Sequence, residues 1–517
     1  VSVMIALLGD VSLTQFLALT FVLLVVVYYL YATRHHGVWE KLGVPGPKPW
    51  PIIDHKLEQK DGETAAIRKW FQQYGNTFGA YGLIPQHAVW LPKTTFYNTV
   101  FYFYFSRSRP RKTFSSIKYS LTTATGDRWR RARHVTSPMF TASRMKLILK
   151  HVGDSAETLT QLIRQKAAKS QLIPLKPIAG KFSTEVIARI AFGVETHAVS
   201  EQETEFAYYA RKFLNLDSKF QDIVEKVYQY FPQIDQVLRF LKFNSDFVDE
   251  NADEYFVKIL NSTIEERKRK NQAGEKVRDL LDMLIKAGVT DDDPKLKDTD
   301  ARAITHNEIL GNSTILILAG VETVSISFQS ILYCLAVHED IQEKVIAEID
   351  QVFPKGTTVD YEQLKELKYT EQVINECLRL FPLLSTVLRI AAETVTYGNI
   401  TIPKGTYVLI CLGEIMKDPT HWPDPEKFDP DRFSPENKAG RDPLAFVPFG
   451  YGPRICLGMR LAMMELKTIM VYLFREFRFT LSDRTVPKKG ETPVMKRLGF
   501  IGTRPKDPIQ LEVVRRL

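Results

Sequence analysis

The 517 residues suffice for a sizeable catalytic body, and 44% hydrophobic with 25% charged residues excludes a disordered chain. The formal charge of +9, from 69 basic and 60 acidic residues, is interspersed and has no recognisable nucleic-acid module beside it, which points to an acidic partner or anionic lipid. Four cysteines, Cys334, Cys377, Cys411 and Cys456, form no CxxC pair and no regular spacing; this argues against a disulfide framework or zinc site and fits a reduced compartment.

Leu13 to Tyr31 runs nineteen residues without a formal charge, so as a helix it would span about 28 Å, near the thickness of a bilayer core. The run is longer than a signal-peptide core and ends in Tyr28, Tyr29 and Tyr31 with no A-x-A-like site, so a retained anchor is expected. Asp10 is the charge before it, and Arg34, Lys41 and Lys48 follow, which places the body in the cytosol. Residues 1–32 are therefore read as a luminal stub and anchor, and 33–54 as a basic, proline-rich linker stiffened by Pro45, Pro47, Pro49 and Pro51. Residues 55–517 form one catalytic unit without internal repeats.

The body is mostly helical in pattern. The clearest element runs from about Ala303 to His338, long enough for about 50 Å of buried rod, with Glu308 and Glu322 among its few charges. A second helix is expected from about Lys365 to Leu380, ended by Phe381-Pro382. Strand-like runs follow at Val387 to Ala391, Thr394 to Tyr397, Ile400 to Ile402 and Tyr407 to Cys411, and a last helix starts near Gly458. The fold class is mainly α with small β-sheets.

The chemistry concentrates in Phe449-Gly450-Tyr451-Gly452-Pro453-Arg454-Ile455-Cys456-Leu457-Gly458, a glycine-rich loop leading into a helix. A thiolate metal ligand needs its sulfur near a helix N-terminus and backbone N–H donors, which lower the thiol pKa and temper the charge. Gly450, Gly452 and Gly458 permit close approach of a flat cofactor, and Arg454 can reach a carboxylate on it. In Ala319-Gly320-Val321-Glu322-Thr323, the Thr323 hydroxyl can bond the carbonyl four residues back and open the central helix locally. Gly320 leaves room beside it, and Glu322 offers a titratable group. Glu376 and Arg379, three apart on one helix face, can pair, as can Trp129 and Arg133, four apart, in addressing one acceptor.

The cysteine loop resembles, at every specified position, the F-x-x-G-x-R-x-C-x-G signature of the cytochrome P-450 superfamily, and the other segments resemble, in the family's order, its oxygen-activation motif, E-x-x-R helix and W-x-x-x-R helix. The resemblance covers essentially the whole chain. It implies a triangular, helix-rich haem domain with Cys456 as ligand of the haem b iron, and Arg454, Trp129, Arg133, Arg389 and Phe449 around the cofactor. Some relatives carry a further propionate-binding arginine before the tryptophan helix, and Arg107-Ser108-Arg109-Pro110-Arg111 does not settle which residue, if any, takes that place. Ala319, Gly320, Glu322 and Thr323 would serve dioxygen and protons, while Glu376, Arg379 and Arg432 would tie the fold. Phe114, Ile117, Ile315, Leu318, Leu384, Ser385, Thr386, Val387, Phe500 and Ile501 would line an apolar substrate pocket. Lys41 to Pro47, Ser137 to Thr141 and Arg278 to Met283 resemble the animal group containing family 3 and thromboxane synthase.

The implied activity is insertion of one atom of dioxygen into a lipophilic substrate. No nicotinamide or flavin fingerprint is evident, so electrons from NADPH would come through a separate NADPH–cytochrome P-450 reductase, with cytochrome b5 as a further partner, at the endoplasmic reticulum membrane. Arg130, Arg131, Lys438, Arg441 and Arg460 are candidates for its docking face, with Arg130 and Arg131 expected on a solvated helix face. The alternatives are a haem-thiolate isomerase acting on a lipid endoperoxide, as thromboxane synthase does, and a non-catalytic membrane haem protein. An intact Glu322-Thr323 pair favours oxygenation.

Overall fold

The computed structural model describes residues 13–34, 36–51, 55, 57–58, 63–75, 77–81, 88–91, 105–106, 116–213, 248–272, 279–298, 301–397, 400–491, 493, 495–498, 502–505 and 507–516. The central helix spans His306–Val337, and its start is set by a capping box: Thr305 Oγ1 accepts from Glu308 N, while Glu308 Oε2 accepts from Thr305 N. The helix is apolar enough to cross a membrane by composition, yet most of its side chains lie in the main hydrophobic core. It packs most extensively on the helix Leu175–Phe192. Gly320 makes that approach possible, since a Cβ there would lie 2.2 Å from Ile187 Cδ1.

Around this rod stand the tryptophan helix Gly126–Thr136, the long helix Ala142–Ala168, the helix Glu250–Gln272, the Glu-Arg helix Lys368–Leu380 and the ligand helix Met459–Phe474. The Glu-Arg helix begins three residues later than the sequence pattern indicates, because Gln363–Lys365 forms a separate 3₁₀ turn. Val387–Ala391 pairs antiparallel with Tyr407–Ile410 inside a five-stranded sheet, whose other strands are Phe78–Ala80, Ala88–Leu91 and Phe105–Ser106. Val395–Tyr397 and Ile400–Ile402 form a separate hairpin. Two further small sheets close the C-terminal part.

The N-terminal helix Leu13–Thr33 carries no charged residue, and its large side chains from Phe16 to Leu30 are mostly exposed. The segment after it is docked rather than free. Trp39 is buried, donates its indole N–H to Ala80 O at 3.2 Å and fills the space that a side chain at Gly79 would need.

Candidate active site

The loop before the ligand helix is held by its own backbone. Gly450 and Gly452 adopt φ of 75° and 77°, a region open to glycine at little cost, and the turn is closed by Cys456 N donating to Phe449 O at 2.9 Å. Cys334, Cys377 and Cys411 are buried, whereas Cys456 is exposed. Its sulfur faces the N–H groups of Gly458 and Met459 at the start of the ligand helix and feels the Arg133 charge. Desolvation raises the thiol above its ordinary value, and the two N–H donors and the Arg133 charge oppose that rise.

Trp129, Arg133 and Arg454 converge on this loop. Arg133 Nη1 donates to Ile455 O at 3.0 Å, Arg454 Nη2 donates to Ala124 O at 3.0 Å, and the Arg454 guanidinium lies 4.5 Å from the Trp129 ring centre. A Cβ added at Gly450 or Gly458 would meet nothing within 4 Å. An exposed cysteine backed by two N–H donors, glycines with open space beside them and two guanidiniums at the loop, one of them over an indole, fit a dianionic, flat macrocycle bound through its iron. Arg389 is buried in the sheet and donates Nη1 to Leu388 O at 2.8 Å.

On the central helix, Thr323 Oγ1 donates to Ala319 O at 2.5 Å, the local bond that the motif leads one to expect. Ala319 is exposed and Ile315, Leu318 and Thr323 are half-buried, although most of the helix is buried. A strip of the rod is thus left uncovered. Glu322 is buried, its Oε2 makes no hydrogen bond, and it lies 3.6 Å from Lys176 Nζ. Gly320 serves Ile187 rather than open space, so the room expected beside it for dioxygen is taken by helix packing. Leu384, Ser385, Thr386 and Val387 are half-buried, whereas Ile117 is sealed in the main core. Phe114, Phe500 and Ile501, with Arg107, Arg109 and Arg111, lie outside the described residues.

Arg379 pairs with both Glu376 oxygens at 2.7 and 2.8 Å and donates to the carbonyls of Met416, Pro425 and Lys427. Arg432 Nε adds a contact to Glu376 at 3.4 Å. Burial pushes the Glu376 carboxyl up, against the guanidiniums that hold it down. The cluster joins the Glu-Arg helix to the loops before the cysteine segment.

Residues 44–512 match the cytochrome P450 family, described as "Cytochrome P450". The chain belongs to the cytochrome P450 family. As a P450 it is a monooxygenase, an oxidoreductase. The chain is similar to "Cytochrome P450 3A14" of Cavia porcellus, 33% identical over 97% of this chain and 96% of the relative. It is also similar to "Cytochrome P450 3A41" of Mus musculus, 32% identical over 96% of this chain and 95% of the relative. A third relative is "Lithocholate 6-beta-hydroxylase" of Mesocricetus auratus, 32% identical over 95% of each chain.

Two further sequence expectations about this P450 are corrected. Arg131 is not on a solvated face: it is buried and donates to Ala303 O, Leu296 O and both oxygens of Glu308. Adjacent side chains on a helix are about 100° apart, so Arg130 can face solvent while Arg131 turns inward. Arg441 is half-buried, with its guanidinium 4.1 Å from the Trp422 ring centre. Arg130, Lys438 and Arg460 are exposed. Lys176 beside Glu322 escaped the sequence reading, since its partner lies on an element distant in sequence and nothing local marks it.

Proposed function

We propose that this P450 is an NADPH-dependent haem-thiolate monooxygenase that inserts one atom of dioxygen into a lipophilic small molecule, a steroid, fatty acid or xenobiotic. The observation that carries the reading is the exposed Cys456, supported by N–H donors and the Arg133 guanidinium, in a chain whose central helix leaves Ala319 exposed and Thr323 half-buried. Cys456 would ligate the iron, and Arg133, Arg454, Trp129 and Arg389 would hold the propionate side. When bound, the haem and its thiolate supply the reductive activation of dioxygen. The Thr323 hydroxyl, locked to Ala319 O, positions a polar group on an otherwise apolar strip, and Glu322 behind it holds or moves a proton. Ile315, Leu318, Ala319 and Leu384 present apolar surface that excludes water and selects lipophilic molecules.

Electrons would arrive from NADPH–cytochrome P-450 reductase, with cytochrome b5 as a second donor, at a face containing Arg130, Lys438 and Arg460. The helix Leu13–Thr33, 21 residues long, would anchor residues 55–517 to the endoplasmic reticulum membrane with the catalytic body cytosolic, through the linker 33–54. One relative's printed name, a lithocholate hydroxylase, makes sterol acids the first compounds to try.

The test is a product screen with the purified full chain and reductase on sterols, fatty acids and drug-like compounds under isotopically labelled dioxygen. One labelled oxygen in the product is expected. Rearrangement of a lipid endoperoxide without reductase, and no labelled product from any class, would establish the isomerase instead.

A further inference from the structure

Gly311, Ile315, Ala319 and Thr323 are spaced four apart and so follow one stripe of the central helix. Cover along the stripe is uneven: Gly311 is buried, Ile315 half-buried and Ala319 exposed. What covers Gly311 is the 3₁₀ turn Ser116–Tyr119. A Cβ on Gly311 would lie 2.7 Å from Ser116 O and 2.9 Å from Ser120 N, so the turn's backbone rests directly on the helix. The open strip ends at that turn.

Several bonds hold the turn there. Leu121 N donates to Asn312 Oδ1 at 2.8 Å, on the central helix, and Arg128 Nη2 donates to Lys118 O at 2.8 Å, from the tryptophan helix. The leading end is held from a third element. Ser116 donates its backbone N–H to Asp253 Oδ2 at 3.0 Å and its hydroxyl to Asp253 Oδ1 at 2.7 Å, and Asp253 stands on the helix Glu250–Gln272. A carboxylate taking both donors of one residue fixes orientation as well as distance.

We propose that Asp253, acting through Ser116, is a positioning residue that sets how far the substrate cleft extends along the central helix, and thereby the size of lipophilic molecule admitted. The proposal rests on the reading in which the Ala319 strip faces the substrate. Release of Ser116 lets the turn lift from Gly311, and the strip then lengthens by one helical turn, about 5.4 Å. Asp253 itself touches neither cofactor nor reacting atoms.

The full-length haem-loaded protein is titrated with imidazole and with clotrimazole, reading the azole-induced shift of the main haem absorption band. In Asp253→Ala the clotrimazole-to-imidazole affinity ratio is expected to rise by about fivefold or more, the effect of losing a charge-assisted hydrogen bond, with the carbon monoxide spectrum unchanged. Asp253→Asn keeps an acceptor for the N–H and offers a donor to the hydroxyl, so it should stay within about twofold of the parent. Ser116→Ala, which deletes the 2.7 Å bond alone, should give a smaller shift in the same direction and serves if Asp253→Ala does not fold. An unmoved ratio in Ser116→Ala and in any folded Asp253→Ala overturns the proposal. So does Asp253→Asn moving as far as Asp253→Ala, which would mean that charge rather than the latch matters. A parent protein without any azole shift overturns the haem reading and this proposal with it, whereas a normal parent shift with unmoved variants overturns this proposal alone.

Discussion

Lys176 and Glu322 lie 3.6 Å apart, nitrogen to Oε2, across the contact between the helix Leu175–Phe192 and the central helix. Both side chains are largely shielded, at 21% and 8% exposure, so the attraction is screened less than at a surface, although no hydrogen bond closes it. The lysine therefore orients the acid beside Thr323. Lys176→Met should divert reducing equivalents from product to peroxide while leaving the thiolate spectrum intact, because the acid loses the charge that orients it. Lys176→Arg should restore most of the coupling. Product-to-NADPH ratios and released peroxide, measured together, check it; unchanged coupling in Lys176→Met sinks the role.

Gly320 is a packing residue. Gly320→Ala drives a methyl into Ile187, whose Cδ1 and Cγ1 would lie 2.2 and 2.5 Å away, and the overpacking should cost about 1–3 kcal/mol. Ile187→Ala on the same background opens space at that contact, so the double variant should be more stable than the sum of the two single losses predicts. Thermal midpoints of the four proteins form the cycle, and simple additivity would refute the contact.

Arg131 and the exposed arginines should separate cleanly. Arg131→Met leaves Glu308 buried without its guanidinium, which should cost about 3–5 kcal/mol of stability and loosen the start of the central helix. Reversing Arg130, Lys438 and Arg460 together should instead slow association with an acidic reductase, with a strong dependence on salt and little change in thermal midpoint. Stopped-flow reduction rates against ionic strength, beside melting curves, distinguish the two.

Glu465, on the ligand helix, is wholly buried and neither oxygen has a hydrogen-bond partner. Burial holds its carboxyl far above the ordinary range. An acid whose folded pKa is raised contributes stability below its unfolded pKa, about 4.3, and that contribution is lost progressively as pH rises towards the folded value. Glu465→Gln should therefore gain stability relative to the parent from about pH 5 upward, by at most about 1.4 kcal/mol per pH unit. Melting temperatures of both proteins between pH 5 and 8 test this, and parallel curves would show that the acid is not held neutral.

Whatever depends on short-range order was legible in the sequence. Thr323 to Ala319 is one helical turn, Glu376 to Arg379 is one helix face, and Cys456 lies two residues before the glycine that caps its helix, so spacing alone determined these relations. The apolar rod, the four strands after Pro382 and the final helix followed from periodicity and from glycine and proline punctuation. Only the tertiary structure decided which side of each helix meets another. Arg131 went inside because Glu308 and two carbonyls wait there, Gly320 was claimed by Ile187, and Lys176 and Asp253 found partners far along the chain. Helical periodicity says that two faces exist; which charges and which bare backbone positions are brought together depends on packing between elements distant in sequence, where no local pattern reaches.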